Sequence, residues 1–224
     1  MNRTLTLIAA VACLALGGWV LTNQNTTNTV DPIGAAFAQD AADVDTSMVQ
    51  DMSLGNPDAA VTVIEYASFT CPHCASFHAG NFKQLKADYI DTGKINFIYR
   101  DVYFDRYGLW ASIVARCGEG AENRFFGIAD LIYERQRQWA SSANSPQQIV
   151  DQLRTIGKTA GLTDAQLDAC FSDGDNAQAL YAYYLQNAEE DGITSTPSFV
   201  INGRKYSNIA YGEMQEILND ALGS

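Results

Sequence analysis

Two cysteines separated by two residues, Cys71 and Cys74, constrain this chain more than any other feature of its sequence. The segment Val61–Ser68 before them is rich in β-branched residues and mostly apolar, which is typical of a central strand in a covered sheet. The segment Pro72–Ile90 after them has apolar residues at helical spacing and a proline at its first position. The pair is therefore predicted to lie where a buried strand gives way to a helix.

This position favours redox chemistry at the first cysteine. Unpaired backbone N–H groups and the positive end of the helix dipole both favour a thiolate over a thiol, and the thiolate is the form that attacks disulfides. Cys71 is thus predicted to be the nucleophile. Cys74 lies one turn further on, within disulfide reach and more buried, and is predicted to be the resolving thiol. His73 between them is expected to donate a hydrogen bond to the Cys71 sulfur, unless it is only a solvated turn residue.

Two other uses of the cysteine pair need to be considered. A structural zinc site needs about four ligands, and Cys71, Cys74 and His78 would supply at most three. Because no second CxxC or HxxxH follows, a metal site is not expected, and no cofactor is expected either. A purely structural disulfide is the other alternative. His78 is expected to lie on the solvent side of the helix, without a role.

The order of predicted elements indicates an α/β fold that a helical segment interrupts. A strand–helix–strand unit around the cysteines predicts parallel strand pairing. The domain boundaries are expected as a linker at 39–46, a first sheet part at 47–100, a helical insertion at 101–175 and a second sheet part at 176–224. The predicted strands are Met48–Ser53, Val61–Ser68, Lys94–Tyr99 and Ser198–Asn202; the predicted helices are Pro72–Ile90, Leu109–Cys117, Glu122–Trp139, Pro146–Thr159, Asp164–Phe171, Asn176–Glu190 and Gly212–Leu222.

Two segments resemble a known family. The run Ser68–Cys74, with its CPHC motif, and the run Thr196–Phe199 resemble the DsbA family of bacterial periplasmic disulfide oxidases over about residues 47–222. Thioredoxins carry CGPC instead, and disulfide isomerases typically carry CGYC. The resemblance implies a thioredoxin fold with a helical insertion domain, in which Pro72 and His73 belong to the catalytic motif.

The same resemblance implies roles for residues away from the cysteine motif. Thr196 and Pro197 match the family's cis-proline loop, which binds the substrate backbone beside the dithiol. Glu65 matches a buried acid beneath the dithiol, which can exchange protons with Cys74. From the local sequence alone, a trans turn proline and a strand-end glutamate that reaches solvent remain open.

Cys117 and Cys170 are predicted to form a second, structural disulfide. Neither has CxxC spacing, a neighbouring histidine or a helix-start position, so nothing in the sequence favours a reactive thiolate there. The bond would close most of the helical insertion, which is expected to have a small core of its own. Some DsbA-family members carry a second cysteine pair in the insertion. The alternative is a pair of buried free thiols.

Residues 1–38 are predicted to be an export segment. Arg3 precedes an apolar run at 5–21, and Ala36-Phe37-Ala38 resembles a signal-peptidase site. The alternatives are cleavage near Ala38, retention of residues 5–21 as a membrane anchor, and a lipid on Cys13. Each places the folded part in the periplasm or another extracytoplasmic space, where disulfides persist.

The resemblance implies that the chain introduces disulfides into exported, unfolded proteins with free thiols. A quinone-linked membrane protein of DsbB or vitamin K epoxide reductase-like type would then reoxidise it. The alternatives are a disulfide isomerase or reductase and a non-catalytic binding or chaperone module. A net charge of −12 argues against nucleic-acid partners. The protein is expected to be a monomer.

Overall fold

The computed structural model describes residues 44–223. The predicted export segment at 1–38, with its cleavage site near Ala38 and its anchor at 5–21, lies outside the described residues, as does most of the 39–46 linker. Between residues 44 and 223, no helix is long and apolar enough to cross a membrane.

One mixed sheet forms the centre of the described region. Its strands lie in the order β1-β3-β2-β4-β5. The central strand β2 runs parallel to β3, which confirms the pairing predicted from the strand–helix–strand unit, and antiparallel to β4. The strands are β1 (Met52–Gly55), β2 (Val61–Ala67), β3 (Ile95–Asp101), β4 (Ser198–Ile201) and β5 (Arg204–Ser207).

The first strand begins four residues later than predicted. The sequence predicts Met48–Ser53, but Val49 N–H donates to the Thr46 carbonyl at 3.0 Å and closes a turn there. The strand β1 that follows is antiparallel to the edge of β3, with Met52 opposite Tyr99. Edge pairing, rather than local apolar pattern, therefore sets its bounds.

Helices cover the sheet and fill the segment between β3 and β4. Two helices begin where they are predicted, at Pro146 and Asp164, and their N-cap residues Ser145 and Thr163 form complete capping boxes. The long helix predicted from Pro72 is broken at Gly80, whose backbone (φ −129°, ψ −80°) is not helical. The helices are α1 (Pro72–Ala79), α2 (Asn81–Leu85) with a π-helical turn at Lys86–Ile90, α3 (Arg106–Ala115), α4 (Ala121–Glu134), α5 (Gln136–Trp139), α6 (Pro146–Thr159), α7 (Asp164–Ser172), α8 (Gly174–Glu190) and α9 (Tyr211–Leu222).

The helical insertion shares one hydrophobic core with the sheet. Phe69 after β2 lies 5.0 Å, ring to ring, from Tyr133 of α4, and Tyr99 of β3 lies 5.2 Å from Phe125. All four side chains belong to a single buried cluster. The expectation of a separate small core in the insertion is therefore wrong, because α4 packs against α1 and the sheet.

Cys117 and Cys170 form a disulfide in this structure. Their sulfurs are 2.14 Å apart, and their Cα atoms are 5.8 Å apart. Cys117 follows α3, and Cys170 lies in the last turns of α7. The bond therefore joins the first helix of the insertion to a helix 53 positions further along the chain.

A candidate dithiol site at the start of α1

Cys71 is the N-cap residue of α1. Its backbone is extended (φ −81°, ψ 119°), and its sulfur accepts a hydrogen bond from the Cys74 N–H at 3.4 Å. Pro72 occupies the first helical position, where a missing N–H costs nothing. The structure thus places the sulfur against the unpaired N–H groups of a helix N-terminus, as the sequence predicts.

The two thiols differ strongly in acidity. The pKa of Cys71 is lowered to about 5, first by a hydrogen bond from the Cys74 thiol and also by the backbone N–H groups of Cys74 and His73, although burial opposes the shift. The pKa of Cys74 is raised, first by burial, then by its hydrogen bond to Cys71 and by the negative charge of Glu65. At neutral pH, Cys71 is therefore a thiolate and Cys74 a protonated thiol.

The predicted hydrogen bond from the His73 imidazole to Cys71 is absent from the hydrogen bonds of the described residues. The His73 side chain is exposed at the second position of α1, where it faces solvent. Its backbone N–H, and not its ring, is what lowers the Cys71 pKa. The prediction about the ring's hydrogen bond is therefore wrong for this reduced state.

The Thr196–Pro197 peptide bond is cis. The Thr196 carbonyl lies 3.5 Å from the Cys71 sulfur, which donates to it when Cys71 is a protonated thiol. Pro197 immediately precedes β4, whose Ser198 is paired with Tyr66 on β2. The sheet itself therefore holds the proline loop beside the dithiol, and the alternative of a trans turn proline does not describe this structure.

Glu65 and His78 form a buried pair beneath the dithiol. Glu65 has no exposed surface and His78 only 3%, and the His78 Nε2 to Glu65 Oε2 distance is 3.0 Å. The alternative of a glutamate that reaches solvent is therefore excluded in this structure. The prediction that His78 lies on the helix surface is wrong, because α1 is covered by α4 as well as by the sheet. Between residues 44 and 223, no cluster of three possible metal ligands occurs.

A buried glutamine secures the loop before the dithiol. Gln136 Nε2 donates to the Phe69 carbonyl at 2.8 Å and to the Cys71 carbonyl at 2.9 Å. The sequence gives no signal for this contact, since the partners lie 65 and 67 positions away. The insertion thereby fixes the backbone on which the nucleophile sits.

These features coincide with a match to a family model. The model, described as Thioredoxin, matches residues 47–220. The chain belongs to the thioredoxin family. Within this family, the predicted likeness to DsbA proteins is confirmed by the relatives and solved structures that follow.

Sequence relatives of this thioredoxin-family chain are named for disulfide chemistry. A protein of Rickettsia bellii, named as a protein-disulfide oxidoreductase, is 35% identical over 77% of this chain and 64% of its own length. Disulfide bond formation protein D of Bacillus subtilis is 24% identical over 75% of this chain and 76% of its own. The chain thus spans somewhat less than two thirds of the rickettsial relative.

The likeness extends to a solved structure. The crystal structure of Wolbachia pipientis alpha-DsbA1 matches with a TM-score of 0.70 and 26% identity, over 79% of this chain and 92% of that one. The fold of this thioredoxin-family chain is thus a DsbA-type fold.

In this thioredoxin-family protein, Cys71 alone is expected to react with iodoacetamide in the reduced native state. The half-maximal rate should fall at about pH 5, because the pKa of Cys71 is lowered to about 5 while Cys74 is buried and protonated. Peptide mass spectrometry after timed labelling measures this. Equal labelling of both cysteines, or a midpoint near the ordinary thiol value, would contradict it.

Proposed function

We propose that this protein is a thiol-disulfide oxidase that introduces disulfides into exported, unfolded proteins with free thiols. The observation that carries the proposal is the asymmetry of the dithiol: a lowered pKa at Cys71 beside a buried, protonated Cys74. A stable thiolate favours the reduced form, so the Cys71–Cys74 disulfide takes electrons readily. The names of the relatives support the same chemistry.

The proposed reaction proceeds in two exchanges. A substrate thiolate attacks the Cys71 sulfur, the Cys71–Cys74 bond breaks, and Cys74 leaves with the electron pair and takes a proton. The second substrate thiolate then attacks the substrate sulfur of the mixed disulfide and releases Cys71 as a thiolate. Two electrons pass from the substrate dithiol to the enzyme, and of the two substrate protons one is balanced at Cys74 and the other goes to solvent.

The site residues have separate proposed roles. The Thr196 carbonyl lies 3.5 Å from the Cys71 sulfur, and Thr196 and Pro197 are proposed to bind the substrate backbone. Glu65 acts electrostatically on Cys74 and is proposed to exchange its proton. Pro72 and His73 occupy the first two positions of α1, and the backbone N–H of His73 helps to lower the pKa of Cys71.

The location and redox partner are also proposals. Residues 1–38 have the pattern of an export segment, so the oxidase would act in the periplasm or another extracytoplasmic space, either free after cleavage or held by residues 5–21. It would act as a monomer. A quinone-linked membrane protein of DsbB or vitamin K epoxide reductase-like type would accept its electrons.

Oxidase and isomerase activity can be separated with two test substrates. One is a reduced, unfolded protein that needs two disulfides, and the other is the same protein with scrambled disulfides. The oxidised enzyme is expected to convert the first in stoichiometric amounts and to leave most of the second scrambled. Efficient rescue of the scrambled protein would instead establish an isomerase. Reaction with neither substrate would leave a non-catalytic binding module.

Reduction of the Cys71–Cys74 bond is expected to stabilise the fold at neutral pH. In the reduced fold the pKa of Cys71 is about 5, against an ordinary value of 9.0. Such a lowered pKa contributes its full stability above the ordinary value, and the contribution is lost as the pH falls through 5. The raised pKa of Cys74 changes nothing below the ordinary value, because that thiol is protonated there in both states.

Thermal melts of the two forms measure this effect, with the Cys117–Cys170 bond left intact. The disulfide also stabilises the oxidised fold, because it closes a short loop in the unfolded chain and lowers its entropy. After this contribution is subtracted, the reduced form should be more stable by about 1 kcal/mol at neutral pH. That corresponds to a melting temperature about 2–4 °C higher. At about pH 4 the thiolate contribution is lost, so the oxidised form should be the more stable one. A more stable oxidised form at neutral pH would indicate a structural bridge.

A further inference from the structure

A closed cluster of polar groups lies beneath Cys74, walled by aromatic rings. His78 stacks on Tyr133 with ring centroids 4.4 Å apart and packs against Phe82 at 4.5 Å. The Tyr133 hydroxyl is 2.7 Å from that of Tyr99. Each of these side chains, like Glu65, is buried. Cys74 has no exposed surface either, so its thiol does not exchange protons with bulk water directly.

Few members of this cluster can give up a proton and take it back at neutral pH. Burial raises the pKa of both Tyr99 and Tyr133 well above the ordinary value, so their hydroxyls stay protonated. Asp130 of α4 also interacts with the charge of His78, and partial burial raises its pKa, but the residue is exposed to solvent. The remaining groups are Glu65 from β2, whose charge acts on Cys74, and His78 from α1, which contacts Glu65.

The hydrogen bond between Glu65 and His78 uses only one of the two carboxylate oxygens of Glu65. Glu65 Oε2 is held by His78 Nε2 at 3.0 Å. Glu65 Oε1 and His78 Nδ1 have no hydrogen-bond partner among residues 44–223. A buried carboxylate with no hydrogen-bond partner is strongly disfavoured in surroundings of this kind. Among the described residues, His78 therefore supplies the one side-chain hydrogen bond that holds Glu65.

We propose that His78 is a positioning residue for the proton transfer at Cys74, acting by holding Glu65 in place and in a form that can gain and lose a proton. The proposal rests on the oxidase function proposed above. When Cys74 attacks a mixed disulfide at Cys71, its proton passes to Glu65 and its electron pair forms the new sulfur–sulfur bond. When Cys74 leaves as a thiolate in the reverse direction, Glu65 returns the proton.

The test follows the oxidation of reduced protein by oxidised glutathione. Cys71 forms a mixed disulfide with one glutathione, and Cys74 then displaces that glutathione. Acid quenching and intact mass measure the lifetime of the mixed disulfide. With His78→Phe, this resolving step is expected to slow about tenfold to a hundredfold at neutral pH and to become steeply faster as the pH rises. In the same variant, the attack of Cys71 on oxidised glutathione should keep its wild-type rate.

Three further variants distinguish positioning from mere structural support. His78→Gln keeps an N–H donor for Glu65 and should recover most of the resolving rate. Combining His78→Phe with Glu65→Gln should be no slower than Glu65→Gln alone, because both act on one group. Phe82→Leu removes a ring that packs on His78 and should lower the melting temperature without changing the pH profile. If His78→Phe does not fold, His78→Asn, which is too short to reach Oε2, replaces it.

The possible failures are distinguishable. If His78→Phe lowers the melting temperature as Phe82→Leu does, but keeps the wild-type resolving rate and pH profile, the inference about His78 is overturned and the oxidase function stands. If the wild-type protein never forms the Cys71–Cys74 disulfide from glutathione, the oxidase function fails and the inference fails with it.

Discussion

Replacing Cys71 with serine is expected to abolish thiol exchange, whereas replacing Cys74 with serine is expected to trap the reaction half-way. The loss in Cys71→Ser should be roughly a thousandfold or more, because the hydroxyl neither ionises at the helix N-terminus nor forms a disulfide. In Cys74→Ser, Cys71 still attacks, but no thiol is left to resolve the product. A stable mixed disulfide with glutathione should therefore accumulate.

Intact mass after incubation with oxidised glutathione measures both outcomes. Ser76→Ala is the matched control, since Ser76 lies on the same helix with an exposed side chain that, among residues 44–223, hydrogen-bonds only to the Pro72 carbonyl. It should behave as the wild type. The assignment of roles would be reversed if Cys71→Ser formed the mixed disulfide at Cys74 while Cys74→Ser did not.

Removing the second disulfide is expected to be the most destabilising change outside the dithiol. The double variant Cys117→Ala with Cys170→Ala frees a loop of 53 positions. The chain-entropy model assigns its closure roughly 4 kcal/mol of unfolding free energy. Cys117 is buried, so the lost sulfur contacts add to the effect. Urea unfolding of the variant and the wild type, both with Cys71 and Cys74 reduced, measures the difference.

The dithiol chemistry should survive this change. Gln136 and Tyr133 secure the nucleophile's loop and the cluster beneath it, and neither contacts the second disulfide directly. Labelling of Cys71 by iodoacetamide should keep its midpoint under conditions where the double variant is folded. An unfolding free energy equal to that of the wild type would mean that packing alone holds the insertion, and the proposed structural role would then be abandoned.

The features that could be predicted from sequence are those that local chemistry determines. Pro72 at a helix start, the capping residues Ser145 and Thr163, and an apolar strand before Cys71 each depend on neighbours within a few positions. The order of these elements is enough to predict the parallel pairing of β2 with β3. The cis-proline loop and the buried acid at Glu65 were predicted from the family resemblance rather than from the local sequence pattern.

The features that could not be predicted depend on contacts across the chain. A helix that packs on a sheet usually exposes its other face, and His78 was therefore predicted to face solvent. Because α4 of the insertion covers α1 from the other side, His78 is buried against Tyr133 instead. From the sequence, Gln136 is an ordinary polar residue of the predicted helix Glu122–Trp139, and only the tertiary structure brings its side chain to the Phe69 carbonyl. The insertion thus completes the site, which no local pattern indicates.

The redox equilibrium with glutathione tests the central claim most directly. Purified protein is equilibrated at neutral pH in buffers of varied reduced and oxidised glutathione, quenched with acid, and the fraction of reduced Cys71 and Cys74 is measured by mass. Because the lowered pKa of Cys71 stabilises the reduced form, the dithiol should stay half reduced even where oxidised glutathione predominates. A disulfide that persists in strongly reducing glutathione buffer would contradict the oxidase account.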